Sequence, residues 1–266
     1  MNMQFASIQS CHLGPEISSE QFIPEHVFLY IIKGSLTAYD GRKNYSLKPG
    51  DYCIARKNKL IRYAKKKQDD EFNKIVVVFD EDFLRNFIRK YSPVYPSRAN
   101  DDAILFVQGK KIIKSFVTSL SLYYKDNEQI DTTFAEVKRE ELLLILLRLN
   151  PDLGNIFFNF GSPGKINLEE FMNRNFRFNI SMERFAYLTG RSLSSFKRDF
   201  RRIFNETPGR WLIKKRLSEA YFLLNKENKK PSEIYLDLGF EDLSHFSFAF
   251  KKQYGLSPTG LVRTGG

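Results

Sequence analysis

Hydrophobic positions change their spacing along the 266-residue chain. Through about residue 80 they fall in short runs rich in β-branched and aromatic residues: VFLYIIKGSLTAYDG (27–41), YSLKPGDYCIA (45–55), KLIRYA (59–64) and NKIVVVF (Asn73–Phe79). Asp40-Gly41 and Pro49-Gly50-Asp51 punctuate these runs with turn residues. The pattern predicts four or more strands in a small barrel or sandwich. After Asp80 the apolar step lengthens to three and four residues, as at Phe83, Leu84, Phe87 and Ile88 behind an acidic first turn. That is helical spacing. Helices are expected over 103–124 and over Thr132–Leu149, whose wide apolar face either packs inside the domain or pairs with a copy of itself. The segment NPDLGNIFFNFGSPGK (150–165) is rich in Gly, Pro and Asn and reads as a linker, with Phe157, Phe158 and Phe160 available to pack. From residue 166 to 261 the helical step continues, giving candidate helices at 168–175, 182–189, 193–204, 208–225, 232–238 and 243–254 with short connections. The expected fold class is α+β in two domains. A small β-barrel with helices occupies 1–150 (strands in 1–80, helices in 81–150), a linker 151–164, and an all-α bundle 165–266.

The helical segment contains an internal repeat. LSSFKRDFRRIFNETP (193–208) aligns with LSHFSFAFKKQYGLSP (243–258) at a constant offset of 50 residues. Leu193, Ser194, Phe196 and Phe200 match Leu243, Ser244, Phe246 and Phe250, and the basic pair Arg201-Arg202 matches Lys251-Lys252. Each copy follows a short helix and a glycine, Gly190 or Gly239. A short helix, a glycine turn and a second helix is the helix-turn-helix layout. Within the first copy, Leu193, Phe196, Phe200 and Phe204 form one stripe and belong to the core. Ser194, Lys197, Arg198 and Arg201 share the opposite face near the helix N-terminus, the end that meets base edges in such units. Lys and Arg donate to guanine O6 and N7, and small Ser permits close approach. Arg191, Arg201, Arg202, Lys251 and Lys252 are expected on phosphates, where they position the protein without reading sequence. The 208–225 helix, about 27 Å long at 1.5 Å per residue, would space the two units.

Charge agrees with a polyanionic partner. The net is +11, but residues 1–159 carry 23 Lys+Arg against 20 Asp+Glu, while residues 160–266 carry 19 against 11. The excess therefore lies in the repeat-bearing segment. The 25 Phe and 13 Tyr argue against a disordered chain. Cys11 and Cys53 form no CxxC, the start of the chain lacks a signal-peptide profile, and the longest apolar run, LLLILL (142–147), is far shorter than a membrane span. A soluble protein of the cytoplasm, without membrane contact, is expected. The run RKNKLIRYAKKK (56–67) reads as solvated surface beside a hairpin, with an auxiliary DNA or protein contact as its alternative.

PSEIYLDLGFEDLSHFSFAFKKQYGLSPTGL (231–261) carries I-x-x-x-x-x-G-F, then F-x-x-x-F-K-K, then G-x-S-P. With the repeat, it resembles the DNA-binding domain of the AraC/XylS family of bacterial transcription regulators over about 100 residues. The resemblance implies two helix-turn-helix units joined by a long helix. It implies binding to double-stranded promoter DNA and, usually, activation through RNA polymerase. It places base-reading positions at Ser194, Lys197 and Arg198 in the first unit and at Ser244, Ser247 and Phe248 in the second. Phe248 departs from the family, where Arg is frequent. The second helix is then poor in donors, which leaves thymine methyls, DNA shape or phosphates as its targets. The G…PGD rhythm of residues 31–64 is similar to the cupin-like domains that precede such DNA-binding domains. The order of elements also resembles activators of type III secretion genes, which answer to a protein partner. A small ligand or a protein is therefore the expected regulator, and homodimerisation through the first domain is a family habit.

Two enzyme classes lack their residues here. A cupin-type metal enzyme needs a cluster of His and carboxylate ligands, and the first domain offers only His12 and His26. An alkyl-accepting repair protein needs an activated thiol, and neither cysteine lies in an acceptor motif. No catalytic residue, metal ligand or cofactor is expected.

Overall fold

The computed structural model describes residues 10–13, 21–94, 102–120, 123, 130–227 and 229–264. The chain divides into two compact units, Met1–Gly161 and Ser162–Gly266.

The first unit contains strands β1 (Cys11–Leu13), β2 (Phe22–Ile23), β3 (His26–Lys33), β4 (Ser35–Tyr39), β5 (Asn44–Leu47), β6 (Tyr52–Ala55), β7 (Lys59–Leu60), β8 (Arg62–Lys66), β9 (Asn73–Phe79) and β10 (Ile104–Leu105). Its helices are α1 (Glu81–Tyr91), α2 (Lys110–Leu120), α3 (Thr132–Leu149) and α4 (Gly154–Phe157). Among the described residues the strands pair as three sheets, ordered β1-β9-β3-β6-β10, β2-β7 and β5-β4-β8. Strand β3 is central and pairs antiparallel with both β9 and β6. Its alternation sends Phe28 and Tyr30, with Ile75, Val77 and Phe79 of β9, toward a core shared with α1, α2 and α3. Val27 and Ile31, with Val76 and Val78, face a second core on the other side of the sheet. A strand buried on both faces must be apolar throughout, which is why VFLYII shows no alternation.

Helix α1 starts where Asp80 accepts the Phe83 N–H at 3.0 Å. The same carboxylate takes the guanidinium of Arg139, whose Nε donates to the Val78 carbonyl at 2.9 Å and whose plane lies over Phe83. This buried arginine joins α3 to the β9–α1 corner. On α3, Leu142, Leu143 and Leu146 are buried against the sheet, so intramolecular packing uses one face. Two sequence expectations change. The predicted 103–124 helix is split: Ile104 and Leu105 pair with Ile54 and Ala55 of β6, and α2 begins only at Lys110, just after Gly109. Residues 151–158 of the expected linker are a packed cap. Asn150 accepts the Asp152 N–H, a 3-10 turn and α4 follow, and Phe157 is fully buried with its ring 5.3 Å from that of Phe79.

The second unit is helical: α5 (Leu168–Asn175), α6 (Met182–Leu188), α7 (Leu193–Phe204), α8 (Pro208–Lys226), α9 (Pro231–Ile234), α10 (Leu243–Tyr254) and α11 (Pro258–Thr264). The 232–238 helix is shorter than its pattern suggested, because the chain turns after Ile234 toward Gly239. Helix α8 carries both halves. Its Trp211 packs on Phe200 and Phe204 of α7, and its Tyr221 packs on Phe250 and Tyr254 of α10.

Candidate nucleic-acid interface

Both recognition helices are entered through the same backbone device. Gly190 donates to the Tyr187 carbonyl and Arg191 to that of Ala186, while Gly239 donates to Leu236 and Phe240 to Tyr235. This paired pattern is the Schellman ending of α6 and of the turn that follows α9. It needs a left-handed residue, and the two glycines have φ of +65° and +85°. Space also forbids a side chain. A Cβ on Gly190 would lie 2.4 Å from the Gly164 backbone, and one on Gly239 would lie 2.6 Å from the Arg177 carbonyl oxygen. Ser192 then caps α7 by accepting from Ser195, and Asp242 caps α10 by accepting from His245 at 2.6 Å. Each helix closes on a left-handed residue, Asn205 or Gly255. From cap to cap the two helices are the same length, as the 50-residue repeat requires.

The residue after each glycine locks the turn to its helix by different chemistry. In the first half this residue is Arg191. Its Nε meets Asp199 of α7 at 3.1 Å, and its Nη1 donates to the carbonyls of Thr189 at 2.7 Å and Ile166 at 3.0 Å. Its side chain is only 7% exposed. Arg191 is therefore an internal clamp, which corrects its expected place on a DNA phosphate. In the second half the residue is Phe240, buried against His245 and Phe246 at ring distances of 5.7 and 5.1 Å.

Asp199 is the carboxylate that makes the first lock work. It interrupts the buried stripe between Phe196 and Phe200, and the Arg191 hydrogen bond holds its pKa below the usual carboxylate range, with Arg202 adding to the effect. Arg202 donates to its other oxygen at 3.4 Å, and Arg198 Nε lies 4.0 Å from it. Asp199 thus lies beside the guanidinium groups of two exposed arginines. The sequence held a signal for it, since an acid within an apolar stripe requires a cation inside the fold.

Sequence reasoning also missed Arg216. From α8 it donates Nε to Phe176 O at 2.8 Å, Nη1 to Gly239 O at 2.8 Å and Nη2 to Phe178 O at 2.9 Å. Burial lowers its pKa to about 10. One side chain thereby ties the long helix to the end of α5 and to the second turn.

The other predicted residues lie as follows. Ser194, Lys197, Arg198, Arg201 and Arg202 of α7 are exposed, opposite the fully buried Phe196 and Phe200. Ser244, Phe248, Lys251 and Lys252 of α10 are exposed, and Ser247 is half-buried. The stripe is less deep at its ends than its spacing implies: Leu193, Phe204 and Tyr254 are half-buried and Leu243 is exposed.

In the first unit, His26 is buried, with Nδ1 accepting the Lys57 N–H and its ring edge-on to Phe157. Among the described residues no three His, Cys, Asp or Glu side chains gather as a metal site. Burial pushes the thiols of Cys11 and Cys53 up to about 12, the reverse of what an activated thiolate needs.

A family model of the ExsA N-terminal regulatory domain matches residues 26–156, and a model of a helix-turn-helix domain matches residues 185–264. The chain belongs to the AraC family of transcription regulators. It is 21% identical over 240 residues to the virulence regulon transcriptional activator VirF of Yersinia enterocolitica, covering 87% of each chain. It is 20% identical over 259 residues to the transcriptional regulator ExsA of Pseudomonas aeruginosa, covering 95% of this chain and 91% of that one. Apo ToxT of Vibrio cholerae matches over 98% of this chain and 96% of its own, at 14% identity and a TM-score of 0.41. The chain is thus a DNA-binding transcription regulator of this family, with an N-terminal regulatory domain, and not an enzyme. No helix among the described residues is long and apolar enough to cross a membrane.

Proposed function

We propose that this AraC-family regulator activates transcription in the cytoplasm by seating α7 and α10 in the major groove of promoter DNA. Ser194, Lys197 and Arg198 read base edges in the first half of the site, and Ser244, Ser247 and Phe248 face bases in the second. Arg201, Arg202, Lys251 and Lys252 hold phosphates. The observation that carries this reading is the exposed basic face of α7, set opposite buried phenylalanines, with the buried stripe and the C-terminal basic pair repeated at fixed offset on α10. The first unit receives the signal, a small ligand or a protein partner, and supports a homodimer, while RNA polymerase is the partner that activation requires.

The test is fluorescence anisotropy on duplexes selected by the full chain from a random library. Lys197→Ala and Arg198→Ala are expected to weaken specific binding by about 1–3 kcal/mol each where a bidentate base contact is lost. With four phosphate contacts, log affinity against log salt falls with a slope of about −4. Wild-type affinity in both variants would remove α7 from the interface, and a flat salt response would remove DNA.

A further inference from the structure

The two recognition helices share a core and differ on the face that meets DNA. At the positions where α7 carries Lys197 and Arg198, α10 carries Ser247 and Phe248. Phe248 is 70% exposed, the most exposed large apolar side chain described in the second unit. It takes no part in the packed cluster around Phe246 and Phe250. Ser244, Ser247, Phe248 and Lys251 share one face of α10 by helical spacing.

We infer that the second unit recognises thymine, with Phe248 packing its ring against C5-methyl groups in the major groove. This rests on α10 being a groove helix, as proposed above. Of the four bases, only thymine presents a methyl group on its edge in that groove, where cytosine has a bare C5–H. Phosphates offer an exposed phenyl ring nothing to pack on, and recognition by shape does not call for one. The two serines are too short to hold the ring away from the groove floor. They supply the only side-chain hydroxyls on this face ahead of Lys251. Charge near the helix start points the same way. Glu241 and Asp242 are exposed carboxylates at the N-terminal end of α10, where they oppose close phosphate contact, and the basic pair lies in the last turn. Bases are thus met by Phe248 and phosphates by Lys251 and Lys252.

The experiment uses the full chain and the duplexes it selects from a random library. Each thymine of a selected duplex is replaced in turn by deoxyuracil, which removes the methyl alone, and affinity is read by anisotropy at fixed salt. Wild type is expected to lose about three- to fivefold per contacted methyl, at one or two thymines of one half-site. Phe248→Ala is expected to bind thymine and deoxyuracil duplexes alike while keeping the wild-type unfolding midpoint, because the position is exposed. Lys197→Ala should weaken both duplexes equally and keep the wild-type ratio. Specific wild-type binding with no thymine preference, or an unchanged ratio in Phe248→Ala, overturns the inference and leaves the DNA reading standing. Failure to enrich any duplex, with sequence-independent binding, overturns both.

Discussion

Replacing Arg216 by Met tests how the two helix-turn-helix halves of the second unit are held on one helix. Met keeps the apolar stem and removes the guanidinium. Three hydrogen bonds are lost, to Phe176 O, Phe178 O and Gly239 O at 2.8–2.9 Å. Bonds to a charged donor contribute about 1.5–3 kcal/mol each, so the gross loss is about 4–9 kcal/mol. Burying the guanidinium opposes this. A pKa lowered from 12.5 to about 10 corresponds to roughly 3 kcal/mol, which the Met variant regains. The expected net loss is about 1–6 kcal/mol.

The chain has one tryptophan, Trp211, packed between α7 and α8 in the second unit. Its fluorescence during urea unfolding therefore follows this unit. Arg216→Met should lower the midpoint without changing the slope, since the surface exposed on unfolding is the same. Arg216→Lys keeps one charged donor and should fall between the two. A Met variant within about 0.5 kcal/mol of wild type would refute the assignment, because that is the scatter of surface substitutions.

Phe196→Ala and Phe246→Ala should each destabilise the unit by about 3–5 kcal/mol, since both rings are fully buried at equivalent positions; urea unfolding on Trp211 checks this, and a loss below 1 kcal/mol in either would break the equivalence. For Asp199, the Arg191 hydrogen bond depresses the folded pKa, so its stabilisation is present above the unfolded value of about 3.9 and is lost as pH falls through the lower folded value. Unfolding from pH 6 to pH 2 should show the gap between wild type and Asp199→Asn closing in acid, and a constant gap would refute the ion pair.

Most of the second unit was legible because its signals are local. The 50-residue offset matches the two helices, and the phenylalanine steps separate core from face within the sequence itself. What the sequence hid depends on pairings that only the fold makes. Asp199 stands out as an acid in an apolar stripe, but Arg191 looks like a surface charge, and only folding places the two 3.1 Å apart. Arg216 lies on a helix rich in Lys and Arg, and its carbonyl partners are about 20 and 40 residues away. In the first unit the strand runs were legible, but Ile104 and Leu105 carry an apolar pair that suits strand or helix equally, and pairing with β6 decided it. The Gly and Asn content of 150–165 signalled a break in regular structure, whereas Phe157 decided that part of it is core.

The differences between the two halves follow from which side chain stands after the turn glycine. An arginine there needs a carboxylate, and Asp199 supplies it from within the helix stripe. That carboxylate then has Arg198 and Arg202 as neighbours, so the basic face of α7 is built outward from an internal charge. A phenylalanine at the corresponding point needs only apolar neighbours, and Phe246 provides one. Helix α10 accordingly has no acid in its stripe to anchor cations at its middle, and its exposed face there is serine and phenylalanine. The chemistry of each turn lock thus matches the exposed chemistry of its helix, and under the proposed DNA contacts this sets donors on one half-site and an apolar ring on the other. Moving Arg and Lys onto α10 alone, without an internal carboxylate, would place unanchored cations on that face. Such a swap should raise overall DNA affinity more than it transfers sequence preference.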